Sequence, residues 1–179
     1  MAAESNKEGQ SGYIQASELD GPVILDVPSP TADLEQALKD LNSHGCCILR
    51  DALSSNTVDA LKQQLDQQYA AEQALGELCP DRGGSNKQVL PNMVNKGKHY
   101  LDLVEDANTD AIASHLLGKH WLLSSLTAHL FVGATTTPEL IHRDQGQIPA
   151  SIEFPALCNL FYLLDDFTPQ RGSTVIFPG

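Results

Sequence analysis

The chain has 179 residues, of which 41% are hydrophobic and 19% are charged, a composition typical of one globular domain. Its 23 acidic and 11 basic residues give a net charge of -12, which argues against nucleic acid or an anionic membrane surface as the main partner, because both favour basic patches. The sequence contains neither the roughly 18 to 20 apolar residues of a membrane span nor the apolar core of a secretory signal, so we expect a soluble, cytoplasmic protein.

The N-terminal part of the chain predicts an arm followed by a helix. Residues 1–20 are polar and aperiodic, which is typical of a disordered segment. The helix has one apolar face at positions i, i+3, i+4 and i+7, formed by Leu34, Ala37, Leu38 and Leu41. Thr31 is its expected N-cap and Gly45 its expected end. Residues 46–49 then predict a short buried strand.

A second helix is predicted after Ser54, because apolar side chains again form one stripe, at Val58, Leu61, Leu65 and Tyr69. Residues 78–98 break this pattern with Gly, Pro and Asn, which predicts a long loop with a strand around Val89 and Leu90. Several basic residues fall in the loop: Arg82, Lys87, Lys96 and Lys98. A solvated surface loop is the favoured interpretation, and a lid over an acidic ligand is the alternative.

The C-terminal half changes from helix to strand. A third helix is predicted over residues 107–117, with Gly118 as its end. Runs of apolar and aromatic residues then predict strands at residues 121–133, at residues 156–164 and from Val175 onward. Helices followed by strands indicate the α+β class, with an all-β core.

The cysteines favour reduced thiols. Cys46 and Cys47 are adjacent, whereas Cys79 and Cys158 stand alone, and no C-x-x-C pair suggests zinc or redox chemistry. We expect at least two of the four to be core residues. The glycine motifs that accompany nucleophilic serines or bound phosphates do not occur either.

The candidate chemistry lies in the sequence His142-Arg143-Asp144. Residues two apart on an extended segment point to the same side, so an imidazole and a carboxylate can reach one metal ion. This pair of donors suits Fe(II), which keeps positions open when a third protein ligand completes one face. His129, on the predicted strand 121–133, could approach a metal, but a hydrogen-bonded core or pocket histidine is the favoured interpretation.

Three segments in a fixed order resemble the phytanoyl-CoA dioxygenase family of Fe(II)- and 2-oxoglutarate-dependent oxygenases, particularly its fungal members in secondary metabolism. They are Leu140–Gln145, Asn159–Thr168 and Gly172–Gly179. Residues 45–65 are also similar to the strand-turn-helix with which the family's domain opens.

The resemblance implies a fold, a cofactor and a reaction. The fold would be a double-stranded β-helix, or jelly roll, with N-terminal helices packed on it. His142 and Asp144 match two Fe(II) ligands, and Asn159 and Thr174 match positions that face the cosubstrate 2-oxoglutarate. With O2 as the oxidant, the implied reaction is hydroxylation or desaturation of a hydrophobic small molecule.

The chain also departs from the family pattern. The family's second histidine ligand and its 2-oxoglutarate-binding arginine follow the Gly-Ser-Thr strand, and no residue up to Gly179 matches them. In addition, Glu139 stands where relatives often have glutamine. We therefore expect residues 21–179 to form a C-terminally truncated domain that lacks the last strands. The alternative is a catalytically incomplete member that acts as a partner or scaffold subunit, and both a homodimer and a heterodimer with a full-length oxygenase stay open.

Overall fold

The computed structural model describes most of the chain from residue 27 onward. The described residues are 27–80, 87–131, 142–146, 148–149, 154–168, 171 and 173–176. The predicted N-terminal arm and Glu139 lie outside them. Among the described helices, none combines the length and the apolar content that crossing a membrane would require.

The first helix, α1, spans Leu34–His44 and confirms the predicted apolar face. Its N-cap is Asp33, whose carboxylate accepts a hydrogen bond from the second backbone N–H of the helix at 2.9 Å. The prediction of Thr31 as the cap is wrong, because the Thr31 hydroxyl instead accepts from the Asp33 N–H at 3.0 Å. Gly45 ends the helix as predicted, in the left-handed conformation that glycine adopts without steric cost.

The second helix, α2, spans Ser55–Leu75 and supplies the centre of the core. The Ser54 hydroxyl caps it by accepting a hydrogen bond from the Thr57 N–H at 3.1 Å. On the predicted stripe, Leu61 is fully buried, and Leu65 and Tyr69 pack around it in partly buried positions. The periodicity therefore identified both the helix and its buried face.

Residues 78–98 are more ordered than the sequence predicts. Strand β1, Cys79–Pro80, pairs with β2, Lys87–Leu90, which confirms the strand expected at Val89 and Leu90. A 3-10 helix over Met93–Lys96 follows. The prediction of a solvated surface loop is wrong here, because Leu90 and Met93 are almost completely buried in the core.

Two further helices precede the last described strand. Helix α3, Lys98–Val104, was not predicted and buries Tyr100 and Leu103, whereas α4, Ala107–Leu117, occupies the predicted range. Strand β3, Ala128–Phe131, pairs antiparallel with β2, so the described sheet has the order β1-β2-β3.

One apolar cluster joins these elements. Its buried members come from α2, β2, the 3-10 helix and α3, and they are Leu61, Leu90, Met93, Tyr100 and Leu103. Partly buried side chains from later in the chain, Tyr162 and Leu164 among them, pack against it. This packing attaches the C-terminal segment 154–168 to the helical part.

The α+β class is confirmed, but several predicted strands are wrong within the described residues. Of residues 121–131, the described part of the first predicted strand, only Ala128–Phe131 form a strand. Residues 46–49 contribute a single parallel bridge from Leu49 to Thr31. Residues 156–164 form no ladder with any described residue. The described residues Val175 and Ile176 are not in a strand either. Within residues 156–164, Tyr162 and Leu164 are partly buried against the core cluster without forming a strand. The jelly roll stays a prediction.

Candidate metal centre

The His-x-Asp motif lies at the start of two overlapping turns. The Arg143 carbonyl accepts a hydrogen bond from the Gly146 N–H at 3.0 Å, and the Gln145 carbonyl accepts from the Ile148 N–H at 2.9 Å. His142 immediately precedes the first turn, and Asp144 lies within it. The first of these hydrogen bonds holds the backbone from Arg143 to Gly146, which includes Asp144.

The two candidate ligands face each other. His142 Nε2 lies 3.3 Å from Asp144 Oδ1, and the side chains are 42% and 53% exposed. Two ligand atoms about 2.1 Å from one metal ion and at right angles to each other lie about 3 Å apart. The observed separation is therefore close to that of two neighbouring ligands of a single ion, and one imidazole with one carboxylate is a donor set that Fe(II) accepts.

The second oxygen of the carboxylate has a different partner. Asn159 Nδ2 donates a hydrogen bond to Asp144 Oδ2 at 2.7 Å, a length typical of a hydrogen bond to a charged acceptor. The structure thus brings together His142, Asp144 and Asn159, all of which the sequence analysis selected. One oxygen of the Asp144 carboxylate, Oδ1, faces the imidazole of His142. The other, Oδ2, accepts the hydrogen bond from the amide of Asn159.

A second hydrogen bond joins the same two segments. The Ala156 N–H donates to Gln145 Oε1 at 3.1 Å, next to the Asn159–Asp144 contact. Sequence reasoning did not select Gln145. Its position directly after Asp144 in the sequence suggests that it lies near the site. The sequence does not show that its hydrogen-bond partner is Ala156, 11 residues further on.

Segment 154–168 is fixed to the helices on its other side. The Tyr162 hydroxyl donates to the Leu103 carbonyl at 3.1 Å and also contacts the Thr109 hydroxyl. Lys62 of α2 forms an ion pair with Asp165 at 2.6 Å. The sequence analysis did not select Tyr162 either. Side chains alternate between the two sides of an extended segment, and this alternation indicates which residues face inward.

Alternate residues of this segment point in opposite directions. The even-numbered side chains from Cys158 to Leu164 are partly buried toward the helices, whereas the odd-numbered ones are exposed. The exposed set is mostly apolar: Leu157, Asn159, Phe161 and Leu163. We call these four residues the outer face. The residue that holds Asp144 therefore lies among exposed apolar side chains.

Other candidates are not brought to this site. Thr174 is exposed, and within the described residues no hydrogen bond joins it to His142, Asp144 or Asn159. His129 is also exposed, with its Nε2 3.3 Å from the Thr127 hydroxyl, so the favoured prediction of a core or pocket histidine is wrong. Exposure alternates along β3, and His129 lies on the exposed face of the strand together with Phe131. The described residues contain no cluster of three or more metal-binding side chains.

Two basic residues of the predicted loop contact carboxylates of the chain itself. Lys96 forms an ion pair with Glu72, and Lys98 with Asp102. Glu72 is only 6% exposed. Burial works to raise the pKa of its carboxyl, but hydrogen bonds from Lys96 and Gln68, together with the Lys96 charge, hold that pKa below its usual value. These contacts favour a structural role for the two lysines over a lid that binds an acidic ligand.

The described thiols have the character of partly buried structural cysteines. Cys46, Cys47 and Cys158 are free, as predicted, and burial raises the pKa of each thiol. A raised pKa reduces the thiolate fraction, which is the nucleophilic form. The side chain of Cys79 lies outside the described residues.

Comparison with known protein families identifies a match. The model of the family described as phytanoyl-CoA dioxygenase matches residues 41–179, a range that includes the turn with His142 and Asp144 and the segment with Asn159. Neither a curated protein nor a solved structure matches the chain.

Proposed function

Because the chain belongs to the phytanoyl-CoA dioxygenase family, we propose that it is an Fe(II)- and 2-oxoglutarate-dependent oxygenase that acts on a hydrophobic small molecule. The family supports oxygenase activity in general terms. The observation that carries the finer proposal is the 3.3 Å separation of His142 Nε2 and Asp144 Oδ1 within the matched range.

The proposed roles of the residues follow from their donor atoms. His142 would hold Fe(II) through Nε2, and Asp144 would hold it through Oδ1. When bound, iron with 2-oxoglutarate and O2 supplies the oxidation of a C–H bond. The chain contributes the spacing of the two donor atoms, and it orients the carboxylate through the amide of Asn159.

The proposed substrate class rests on the outer face. Phe161 is 66% exposed and Leu163 is 51% exposed, on the same side of the segment as Asn159. Exposed apolar groups beside a reactive centre favour a ligand with apolar surface, because its burial removes both surfaces from water. On the basis of the resemblance to fungal members, we propose that the reaction is a hydroxylation or desaturation in secondary metabolism.

Anaerobic titration with Fe(II) and 2-oxoglutarate tests the proposal. We expect the protein to develop the weak visible charge-transfer band of a metal-cosubstrate complex, and the His142→Ala variant to lose it. His120→Ala is a matched control, since His120 is exposed in a turn outside the site, and we expect it to keep the band.

Two results would contradict the proposal. One is the absence of any band in the folded unsubstituted protein. The other is an equal band in the His142→Ala variant, which would place the metal elsewhere. No contact among the described residues favours the alternative of a partner or scaffold subunit.

A further inference from the structure

We propose that Asn159 is a positioning residue that makes Asp144 a monodentate metal ligand. The inference rests on the function proposed above. Sequence resemblance assigned Asn159 to the cosubstrate, but its amide donates to Asp144 Oδ2 at 2.7 Å. Asp144 Oδ1 is left facing His142 Nε2 at 3.3 Å.

The chemistry of the pair fixes which amide atom faces the carboxylate. An ionised carboxylate only accepts hydrogen bonds, so the NH2 group of Asn159, and not its carbonyl oxygen, must lie toward Asp144. A metal ion that bound both carboxylate oxygens would compete with this donor for Oδ2. As long as the hydrogen bond persists, it therefore favours coordination through Oδ1 alone.

The surrounding contacts hold Asn159 in place for this role. Three residues earlier, the Ala156 N–H donates to Gln145 Oε1 at 3.1 Å, which ties the same segment to the residue after Asp144. Three residues later, Tyr162 fastens the segment to the carbonyl of Leu103. The amide is thus presented from a segment that is attached on both sides of it.

Monodentate binding has a functional consequence. Each carboxylate oxygen that binds the metal occupies one coordination position, and this chemistry needs open positions for a bidentate cosubstrate and for O2. Because its hydrogen bond keeps Oδ2 from binding the metal, Asn159 would leave one of those coordination positions open. It would also orient Oδ1, the role that residues behind metal ligands commonly have.

Co(II) binding in the absence of 2-oxoglutarate tests the inference, because visible absorption reports both affinity and coordination. We expect Asn159→Leu to weaken Co(II) binding about 10- to 100-fold and to lower the absorption intensity at saturation, as the coordination number rises. Asn159→Gln keeps an amide donor and should recover part of the affinity. Asn56→Leu is the matched control, since Asn56 is exposed on α2 outside the site, and its Co(II) affinity should stay within about 2-fold of the unsubstituted protein.

The outcomes separate this inference from the proposed function. If Asn159→Leu binds Co(II) as tightly as the unsubstituted protein and with the same spectrum, the positioning role is wrong. A loss confined to 2-oxoglutarate affinity would assign Asn159 to the cosubstrate instead. With either of these two results, loss of Co(II) binding in the His142→Ala variant would still support the proposed metal site. If the unsubstituted protein binds no Co(II), both proposals fail together.

Discussion

Replacing Tyr162 tests whether segment 154–168 is fixed to the helices as the structure indicates. The Tyr162 hydroxyl donates to the Leu103 carbonyl and contacts the Thr109 hydroxyl, and its ring packs against the core cluster. Tyr162→Phe removes the hydroxyl and keeps the ring. Tyr162→Ala removes both, so the two variants separate the hydrogen bonds from the packing.

The expected magnitudes follow from which groups lose their partners. In Tyr162→Phe the Leu103 carbonyl keeps a hydrogen bond from the Thr109 hydroxyl at 2.8 Å, so no buried acceptor is orphaned. We therefore expect a loss of only about 0.5–1.5 kcal/mol in the free energy of unfolding. Removing a fully buried aromatic ring costs about 3–5 kcal/mol. Because Tyr162 is only partly buried, we expect about 2–3 kcal/mol for Tyr162→Ala.

Urea denaturation measures these losses, and Phe161→Ala is the control. Phe161 is the neighbouring aromatic residue but points outward, so its removal should change stability by less than about 0.5 kcal/mol. Tyr162→Ala should also weaken metal binding, because the segment carries Asn159. If Tyr162→Phe and Tyr162→Ala lower the free energy of unfolding equally, the packing of the ring does not contribute more than the hydroxyl, and the reasoning is refuted. A larger loss for Phe161→Ala than for Tyr162→Ala would reverse the assignment of inner and outer faces.

Two further predictions follow from the shifted pKa values. The lowered pKa of Glu72 means that its contribution to stability is complete above the ordinary glutamate pKa of about 4.3 and is lost as the pH falls through the lower folded value. Glu72→Gln should therefore flatten the acid side of a stability-pH curve measured by denaturation, and an unchanged acid slope would contradict this assignment. Burial raises the pKa of Cys47 and Cys158, so iodoacetamide should label both slowly near neutral pH in the native protein and faster in urea. Native labelling as fast as unfolded labelling, located by peptide mass analysis, would show that these thiols are not protected.

The helices could be predicted well because their signals are local. Periodicity identified α2, and Gly45 marked the end of α1. The error at Thr31 arose because two capping side chains lie close together and both accept backbone hydrogen bonds. Helix Lys98–Val104 was missed because its seven residues contain too few turns to show a period.

The strands were predicted less well because pairing depends on distant residues. The run at residues 156–164 has the apolar content and the alternation of a strand, but these features report only that one side is buried. Here the buried side packs on helices, through Tyr162 and Leu164. The same difference applies to the candidate site. The short motif selected His142 and Asp144, whereas the hydrogen bond from Asn159, 15 residues further on, required the fold.

The two faces of segment 154–168 connect stability to the proposed chemistry. Inward-facing Tyr162 and Leu164 contribute to the core, while outward-facing Asn159 holds the carboxylate of Asp144. Because neighbouring residues share one backbone, loosening the inner face also displaces the amide that orients the proposed ligand. A substitution at an outer apolar position such as Leu163 leaves both anchors intact, so its effect should be confined to contacts with a ligand. The pattern of inner and outer residues therefore separates changes in metal affinity from changes in substrate preference.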